Sequence, residues 1–115
     1  MSRDSACLLD LIQALRRARG FLGDTTQPDF FSDVKNQSSV IHQLLIAGEA
    51  VKRLSSEFRS SHPEIPWNDI AGMRDVLIHR YDEIDLVEVW STLREDIPEL
   101  IPALERLAAE TAGNE

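Results

Sequence analysis

The sequence predicts an all-α fold, an antiparallel up-and-down bundle of four main helices. Apolar residues recur at three- and four-residue spacing along most of the chain, capping residues stand where these periods begin, and no segment has the pattern of a β-strand. A length of 115 residues suits one domain with a modest core. We therefore expect a single domain over residues 1–110 and a flexible tail at 111–115.

The first two helices are predicted from apolar periodicity and end signals. The first runs from Asp4 to Leu22 and stops near Gly23. Thr26 is a suitable N-cap for the second, which we expect to bend near Ser32 and continue to about Phe58. This second helix should be the spine of the bundle. Its predicted seam consists of Val40, Leu44, Ala47, Val51, Leu54 and Phe58.

Two further helices complete the predicted bundle. The third runs from about Trp67 to His79, and the fourth begins at Leu86 with Asp85 as its N-cap. Pro98 and Pro102 interrupt the hydrogen bonding of the fourth, so we expect a kink or break near Pro98 with both halves facing the same core. The apolar residues of this helix are Leu86, Trp90, Leu93, Ile97, Leu100, Leu104 and Leu107.

Composition argues against several functional classes. A single cysteine, Cys7, cannot form an intramolecular disulfide, and no Cys/His cluster is typical of a metal site. No apolar run approaches the roughly 20 residues that cross a bilayer, and no secretory signal is present. We expect a cytoplasmic protein with no membrane contact, metal or cofactor. The net charge of −8 disfavours broad nucleic-acid binding, so any such chemistry needs a local basic site or one shared by two chains.

The strongest functional candidate is the stretch from Met73 to Tyr81, which contains Arg74 and His79. An arginine beside an apolar stripe is costly unless it is paired or functional. Histidine exchanges protons near neutral pH, and a guanidinium suits phosphate oxygens. Together they supply the minimum for cleaving RNA without a metal. The histidine would activate the ribose 2′-hydroxyl, and the arginine would stabilise charge on the phosphate.

The spacing of these residues restricts the site. Five residues of α-helix rotate side chains by about 140°, so Arg74 and His79 of one chain converge poorly on a straight helix. Either the helix ends before His79, or the site is composite, built across a symmetric homodimer. Gly72 lies on the His79 side and would let another helix approach. Asp75, one turn before His79, is placed to orient the imidazole. The structural alternative is a helix-end histidine with an ion pair between Arg74 and an aspartate.

The chain around this stretch resembles the HepT-like proteins of the HEPN superfamily. Residues 74–81 fit the signature R-x4-H-x-Y, and Ile46–Ala50 resembles the family segment I-x-G-E-A. Residues 65–74 resemble the run I-P-W-x-x-I-x-G-M-R. The likeness continues through Asp85–Leu86, Val89–Trp90 and Asp96–Pro98, and it covers most of the chain from about Asp4 to Leu107.

This resemblance implies a homodimeric helical bundle and a specific activity. Such proteins are toxins of type VII-like toxin–antitoxin pairs and act as metal-independent endoribonucleases. Arg74 and His79 would be the catalytic residues. Tyr81 would receive AMP from ATP through a minimal nucleotidyltransferase (MNT) antitoxin, which would place charge and bulk beside the phosphate-binding cation. Arg80 occupies the variable signature position and adds a second cation near the cleft.

Other interpretations stay open from the sequence. Ser38 and His42 stand where many relatives carry an aspartate and an arginine, so a role for that helix surface is in doubt. The same bundle could be a non-catalytic module that binds a nucleotide or a nucleotidyltransferase. In a third interpretation, Arg74 and His79 only hold a dimer together.

Overall fold

The computed structural model describes residues 2–79 and 83–115, with His79 described by its backbone alone. Every regular element in these ranges is helical, which confirms the all-α prediction. We number the α-helices in chain order. They are α1 (Arg3–Leu22), α2 (Gln27–Ser32), α3 (Val34–Arg53), α4 (Ser56–Ser61), α5 (Trp67–His79), α6 (Leu86–Ser91) and α7 (Ile97–Gly113), with a π-helical turn at Thr92–Asp96 between the last two.

Helices α1 and α3 form the central antiparallel pair. Asp4, at the start of α1, accepts hydrogen bonds of 2.8 Å from both the backbone N–H and the hydroxyl of Ser55, just beyond α3. At the other end, Asn36 at the start of α3 donates to the carbonyl of Phe21, 3.2 Å away. Because each contact joins the start of one helix to the end of the other, the two helices run in opposite directions.

Helix α7 packs antiparallel on another side of α1. Glu115, after α7, accepts hydrogen bonds from the backbone of Ser2 at 3.2 Å and from the hydroxyl of Ser5. Hydrogen bonds from Ser2 and Ser5 lower the pKa of the Glu115 carboxyl to about 2. Near the other end of α1, Arg94 donates to the carbonyl of Gly23 at 3.0 Å. Because α7 extends to Gly113, residues 111–113, expected to belong to a flexible tail, are helical.

The core lies where α1, α3 and α7 meet, and α5 packs against α3 and contributes the buried residues Ile70 and Leu77. The predicted α3 seam is confirmed from Val40 to Leu54, whereas Phe58 is half-buried. Cys7 is buried as a free thiol. The largest fully buried side chains are Phe30, Leu8, Leu11, Leu15, Leu22, Leu44, Leu93, Ile97, Leu104, Val40 and Val51.

The predicted continuation of the spine helix to Phe58 is wrong, because α3 ends at Arg53. Ser55 takes an extended conformation, and its hydroxyl accepts a hydrogen bond from the N–H of Phe58 at 3.0 Å. A serine that caps a new helix competes with continuation of the old one. The expected bend near Ser32 is confirmed as a full break, with Asp33 capping α3.

The break near Pro98 is also confirmed, and it takes the form of the π-helical turn. Pro98 has no N–H and cannot donate to the carbonyl of Arg94, so the regular ladder is interrupted there. The wider turn shifts the buried residues to four-residue steps, and both halves still face one core. The buried positions are Val89, Leu93, Ile97, Ile101, Leu104 and Leu107, whereas Leu86, Trp90 and Leu100 of the predicted seam are half-buried.

Side-chain caps at helix starts agree with the sequence-based expectations. The hydroxyl of Thr26 accepts from the N–H of Asp29 at 3.3 Å, at the start of α2. The carboxylate of Asp85 accepts from the N–H groups of Val87 and Glu88 at 3.0 and 3.3 Å, at the start of α6. Each cap satisfies a donor that the first helical turn leaves free. No helix within the described ranges is long and apolar enough to cross a membrane.

Candidate active site

Helix α5 approaches α3 most closely at Gly48. A Cβ atom placed on Gly48 would lie 2.3 Å from the Cβ of Arg74 and 3.2 Å from the carbonyl oxygen of Ile70. Side-chain carbons do not pack at the shorter of these distances, so only glycine allows this approach. The contact holds the backbone of α5, and with it the base of the Arg74 side chain, directly against α3.

The guanidinium of Arg74 is held by two carboxylates. Its Nε lies 2.8 Å from Oε2 of Glu49 on α3, and its Nη1 lies 3.4 Å from Oδ1 of Asp75. The side chain is 27% exposed, beside the buried residues Ile70 and Leu77. These ion pairs supply the partners that an arginine beside an apolar stripe requires.

Asp75 pairs with two cations at the α3–α5 contact. Its carboxylate binds the ammonium of Lys52 on α3 as well as Arg74. The hydrogen bond from Lys52, with its charge and that of Arg74, lowers the pKa of Asp75 below its ordinary value. The four charges of Lys52, Asp75, Arg74 and Glu49 therefore form one chain of ion pairs across the α3–α5 contact. Orientation of the His79 imidazole by Asp75 stays a prediction, since that side chain lies outside the described residues.

The second half of the signature is described only in part. His79 is the last described residue of α5, so the helix does not end before it, and one of the two geometric alternatives is excluded. On a regular helix, positions five residues apart are rotated by about 140° around the axis. The predictions for Arg80 and Tyr81 lie outside the described residues.

The opposite side of α5 faces an open groove. This groove has a volume of about 830 Å³ and lies between α5 and the segment from α6 to α7. Helix α5 contributes Gly72, Met73 and Val76 to its wall. Among the described residues, no atom lies within 4 Å of a Cβ placed on Gly72, and the Val76 side chain is 54% exposed. Unlike the Gly48 side, this face of α5 is left uncovered by the described part of the chain.

Sequence reasoning did not single out Glu49 or Lys52 as partners in this site. A signal was present, because Glu49 follows Gly48 within the segment Ile46–Ala50 and Lys52 lies three residues further along the same helix. The sequence did not reveal the partners of Glu49 and Lys52, because the pairing depends on which part of α5 packs against Gly48. Among the described residues, no three His, Cys, Asp or Glu side chains are grouped as a metal site would require.

Comparison with known proteins shows the family of the chain. The family described as "Ribonuclease HepT-like" matches residues 11–107, a range that contains the signature and its flanks. The chain belongs to the HepT-like ribonuclease family. A protein of Thermococcus cleftensis named "Probable ribonuclease HepT" is 42% identical over 100 residues, which cover 87% of this chain and 91% of that relative.

A second relative of the HepT-like chain comes from Methanocaldococcus jannaschii. It is named "Putative RNase MJ0127" and is 33% identical over 110 residues, which cover 96% of this chain and 91% of the relative. No solved structure matches the chain. The family that the residues 46–50 and 65–81 resemble is thus the family to which the whole domain belongs.

Proposed function

We propose that this HepT-like chain is the toxin of a type VII-like toxin–antitoxin pair and acts as a metal-independent endoribonuclease. The observation that carries the proposal is the half-buried guanidinium of Arg74, held at the α3–α5 contact in a member of a ribonuclease family. A fixed guanidinium is a suitable group to stabilise charge on a phosphate without a metal ion.

The proposed reaction is transesterification within RNA. His79 removes the proton of a ribose 2′-hydroxyl, the 2′-oxygen forms a bond to the adjacent phosphorus, and the bond from phosphorus to the 5′-oxygen breaks. A proton returns to the leaving 5′-oxygen. Arg74 stabilises the negative charge that builds on the non-bridging oxygens. The products are a 2′,3′-cyclic phosphate and a 5′-hydroxyl.

A homodimer with a composite active site belongs to this proposal. Helix α5 continues through His79, and positions five residues apart on a helix are rotated by about 140°, so a second chain can bring the missing partner. The uncovered face of α5 at Gly72 and Val76 supports this arrangement, because it offers an apolar surface to a second copy.

Neutralisation of the toxin is proposed to occur at Tyr81. An MNT-type antitoxin would transfer AMP from ATP to the Tyr81 oxygen, which loses its proton as pyrophosphate leaves the α-phosphorus. The added phosphate would compete for the cations of the site. Arg80 would contribute a further cation to RNA binding. The proposed place of action is the cytoplasm, where RNA substrates and ATP are available to toxin and antitoxin.

The competing proposal is a binding module without catalysis. Its supporting observation is that both carboxylate partners of Arg74 are already in place, as a purely structural arginine would require. A bundle with such an arginine can hold a nucleotide or a nucleotidyltransferase without cleaving RNA. The loss of cleavage in single variants separates the two proposals.

The deciding experiment is RNA cleavage by purified protein in EDTA. Arg74→Ala and His79→Ala should each lower the rate by at least about 100-fold, since each removes a group that acts on the reacting phosphate or its proton. Arg16→Ala is the matched control, because Arg16 pairs with Glu105 on the α1–α7 side at 2.9 Å. The ends produced by wild type should be 2′,3′-cyclic phosphates, and its rate should change near the ordinary pKa of histidine, about 6.5.

Two results would contradict the ribonuclease proposal. Variants as active as wild type would exclude Arg74 and His79 as catalytic residues. Inert wild type would also contradict it, unless mass spectrometry finds an AMP adduct on the peptide that contains Tyr81. An inert and unmodified protein that still binds a nucleotide or nucleotidyltransferase would favour the binding module.

A further inference from the structure

We propose that Glu49 is a positioning residue for RNA cleavage. It fixes the guanidinium of Arg74 through Nε, so that the Nη groups face the phosphate. This inference rests on the proposed function and adds to it a residue on α3, outside the R-x4-H-x-Y signature.

The contact with Glu49 leaves most of the guanidinium fork free. An arginine has five N–H donors in one plane, one on Nε and two on each Nη. The carboxylate of Glu49 forms an ion pair with Nε at 2.8 Å, and Nη1 donates a long hydrogen bond of 3.4 Å to Asp75. Nη2 has no hydrogen-bond partner among residues 2–79 and 83–115. A phosphate can therefore bind Nη1 and Nη2 while Glu49 stays in place.

The ion pair between Glu49 and Arg74 lies next to the point where the backbones of α3 and α5 are in close contact. Glu49 follows Gly48, the point of closest approach, and the Cβ of Arg74 packs directly on Gly48. The guanidinium is therefore held near α3 at its base and at its Nε. Holding the guanidinium at both points should favour catalysis, because a catalytic group misplaced by about 1 Å can cost 100-fold in rate.

Lys52 weakens the competition between the Asp75 carboxylate and a bound phosphate for the Nη1 group of Arg74. Asp75 shares its charge between Lys52 and Arg74, and its contact with Arg74 is the longer of the two carboxylate contacts to that guanidinium. An incoming phosphate that replaces Asp75 at Nη1 leaves Asp75 with Lys52 as its partner. The chain of ion pairs can thus rearrange at Asp75 without disturbing the ion pair between Glu49 and Arg74.

The kinetic test compares Glu49→Ala, Glu49→Gln and a matched control in the same EDTA assay. Glu49→Ala should lower kcat by at least about 10-fold with a smaller change in KM, because the guanidinium loses orientation more than charge. Glu49→Gln keeps the length of the side chain and an oxygen atom beside Nε but loses the charge, so it should recover part of this loss. Asp10→Asn is the control, since Asp10 pairs with Arg53 across α1 and α3 at 3.4 Å, and it should stay within about twofold of wild type.

A spectroscopic test separates positioning from general stability. The Nε–H signal of Arg74 in a ¹H–¹⁵N spectrum, assigned by its absence in Arg74→Lys, should be protected from exchange in wild type and in Asp10→Asn. In Glu49→Ala this protection should be lost while the backbone amide spectrum of the folded protein is retained. A melting curve of each variant checks that the fold persists.

Three results would overturn the inference. They are a Glu49→Ala kcat within about twofold of wild type, a kcat above wild type, and an unchanged Arg74 Nε–H signal. A faster variant would mean that Glu49 competes with phosphate. If Arg74→Ala is inactive and Glu49→Ala is not, only the positioning role fails. If Arg74→Ala keeps full activity, or if wild type is inert and unmodified, the proposed function fails and the role of Glu49 fails with it.

Discussion

Helix α5 has two faces that differ in almost every physical respect. One face packs on α3 at Gly48, where a single added carbon would overlap Arg74. The other borders the groove beside α6 and α7, where a carbon added at Gly72 would touch no atom of residues 2–78 or 83–115. We call these the packed face and the open face. The packed face fixes the charged group of the site, and the open face is available to another molecule.

The comparison shows that glycine serves opposite purposes on the two sides of α5: Gly48 of α3 faces the packed side, and Gly72 lies on the open side. Gly48 is needed because α3 and α5 already occupy the space that a side chain would fill. Gly72 leaves space that the described residues of this chain do not fill. A glycine in a helix costs stability relative to alanine, so its presence at either position needs a packing reason. At Gly48 that reason lies within one chain, and at Gly72 the proposed reason is the second copy of the homodimer.

The largest expected effect is the loss of a buried side chain of α5. Leu77 borders the groove but is only 3% exposed, so Leu77→Ala should lower the free energy of unfolding by about 2–5 kcal/mol through lost burial and a cavity. Its neighbour Val76 is exposed on the open face, and Val76→Ala should change the free energy of unfolding by no more than about 0.5 kcal/mol. Urea unfolding measures both. Equal effects would mean that the two positions are buried alike.

The next effect comes from the two glycines. Gly48→Ala should destabilise by about 1–3 kcal/mol, because the nearest atom is the Cβ of Arg74 and the helices must separate to admit the methyl group. Cleavage should fall as well, since Arg74 moves with α5. Gly72→Ala, the matched variant, should not destabilise the isolated chain. Thermal unfolding checks the pair, and a tolerated Gly48→Ala would contradict the close packing.

A charge on the open face should act on association instead of folding. Val76→Asp places a carboxylate on the surface proposed to meet a second copy, and we expect the dimer dissociation constant to rise by at least about tenfold, or 1.4 kcal/mol. Val34, on α3 outside the groove, is 71% exposed, and Val34→Asp is the control. Light scattering across a dilution series measures the change. An unaltered dimer would place its interface elsewhere.

The smallest expected effect concerns acid stability of the packed face. Lys52 lowers the pKa of Asp75 in the folded chain, so the stabilisation is present above the unfolded value of 3.8 and is lost as the pH falls through the folded value. Asp75→Asn should therefore melt at a slightly lower temperature than wild type at pH 7, and the difference should disappear near pH 2. If the difference in melting temperature persists at acid pH, it is caused by packing and not by the charge of Asp75.

Much of the fold was predictable because its signals are local. The periodicity of α1 and the cap at Asp85 involve residues within a turn or two of each other, and a missing N–H at Pro98 acts on its own helix. The continuation of α3 to Phe58 was predicted wrongly because the signal that ends this helix is not local. Apolar residues continue at helical spacing before and after Ser55, and the Asp4 carboxylate that binds Ser55 lies 51 residues earlier in the sequence.

The sequence by itself determined an all-α domain, the starts of its main helices, and the signature that contains Arg74 and His79. Only the tertiary structure decided that Glu49 and Lys52 join Arg74 and Asp75, and that one face of α5 is packed and the other open. Helix periods and caps depend on neighbours along the chain. The partner of a guanidinium depends on which turns of two helices meet, and here the absence of a side chain at Gly48 sets that meeting.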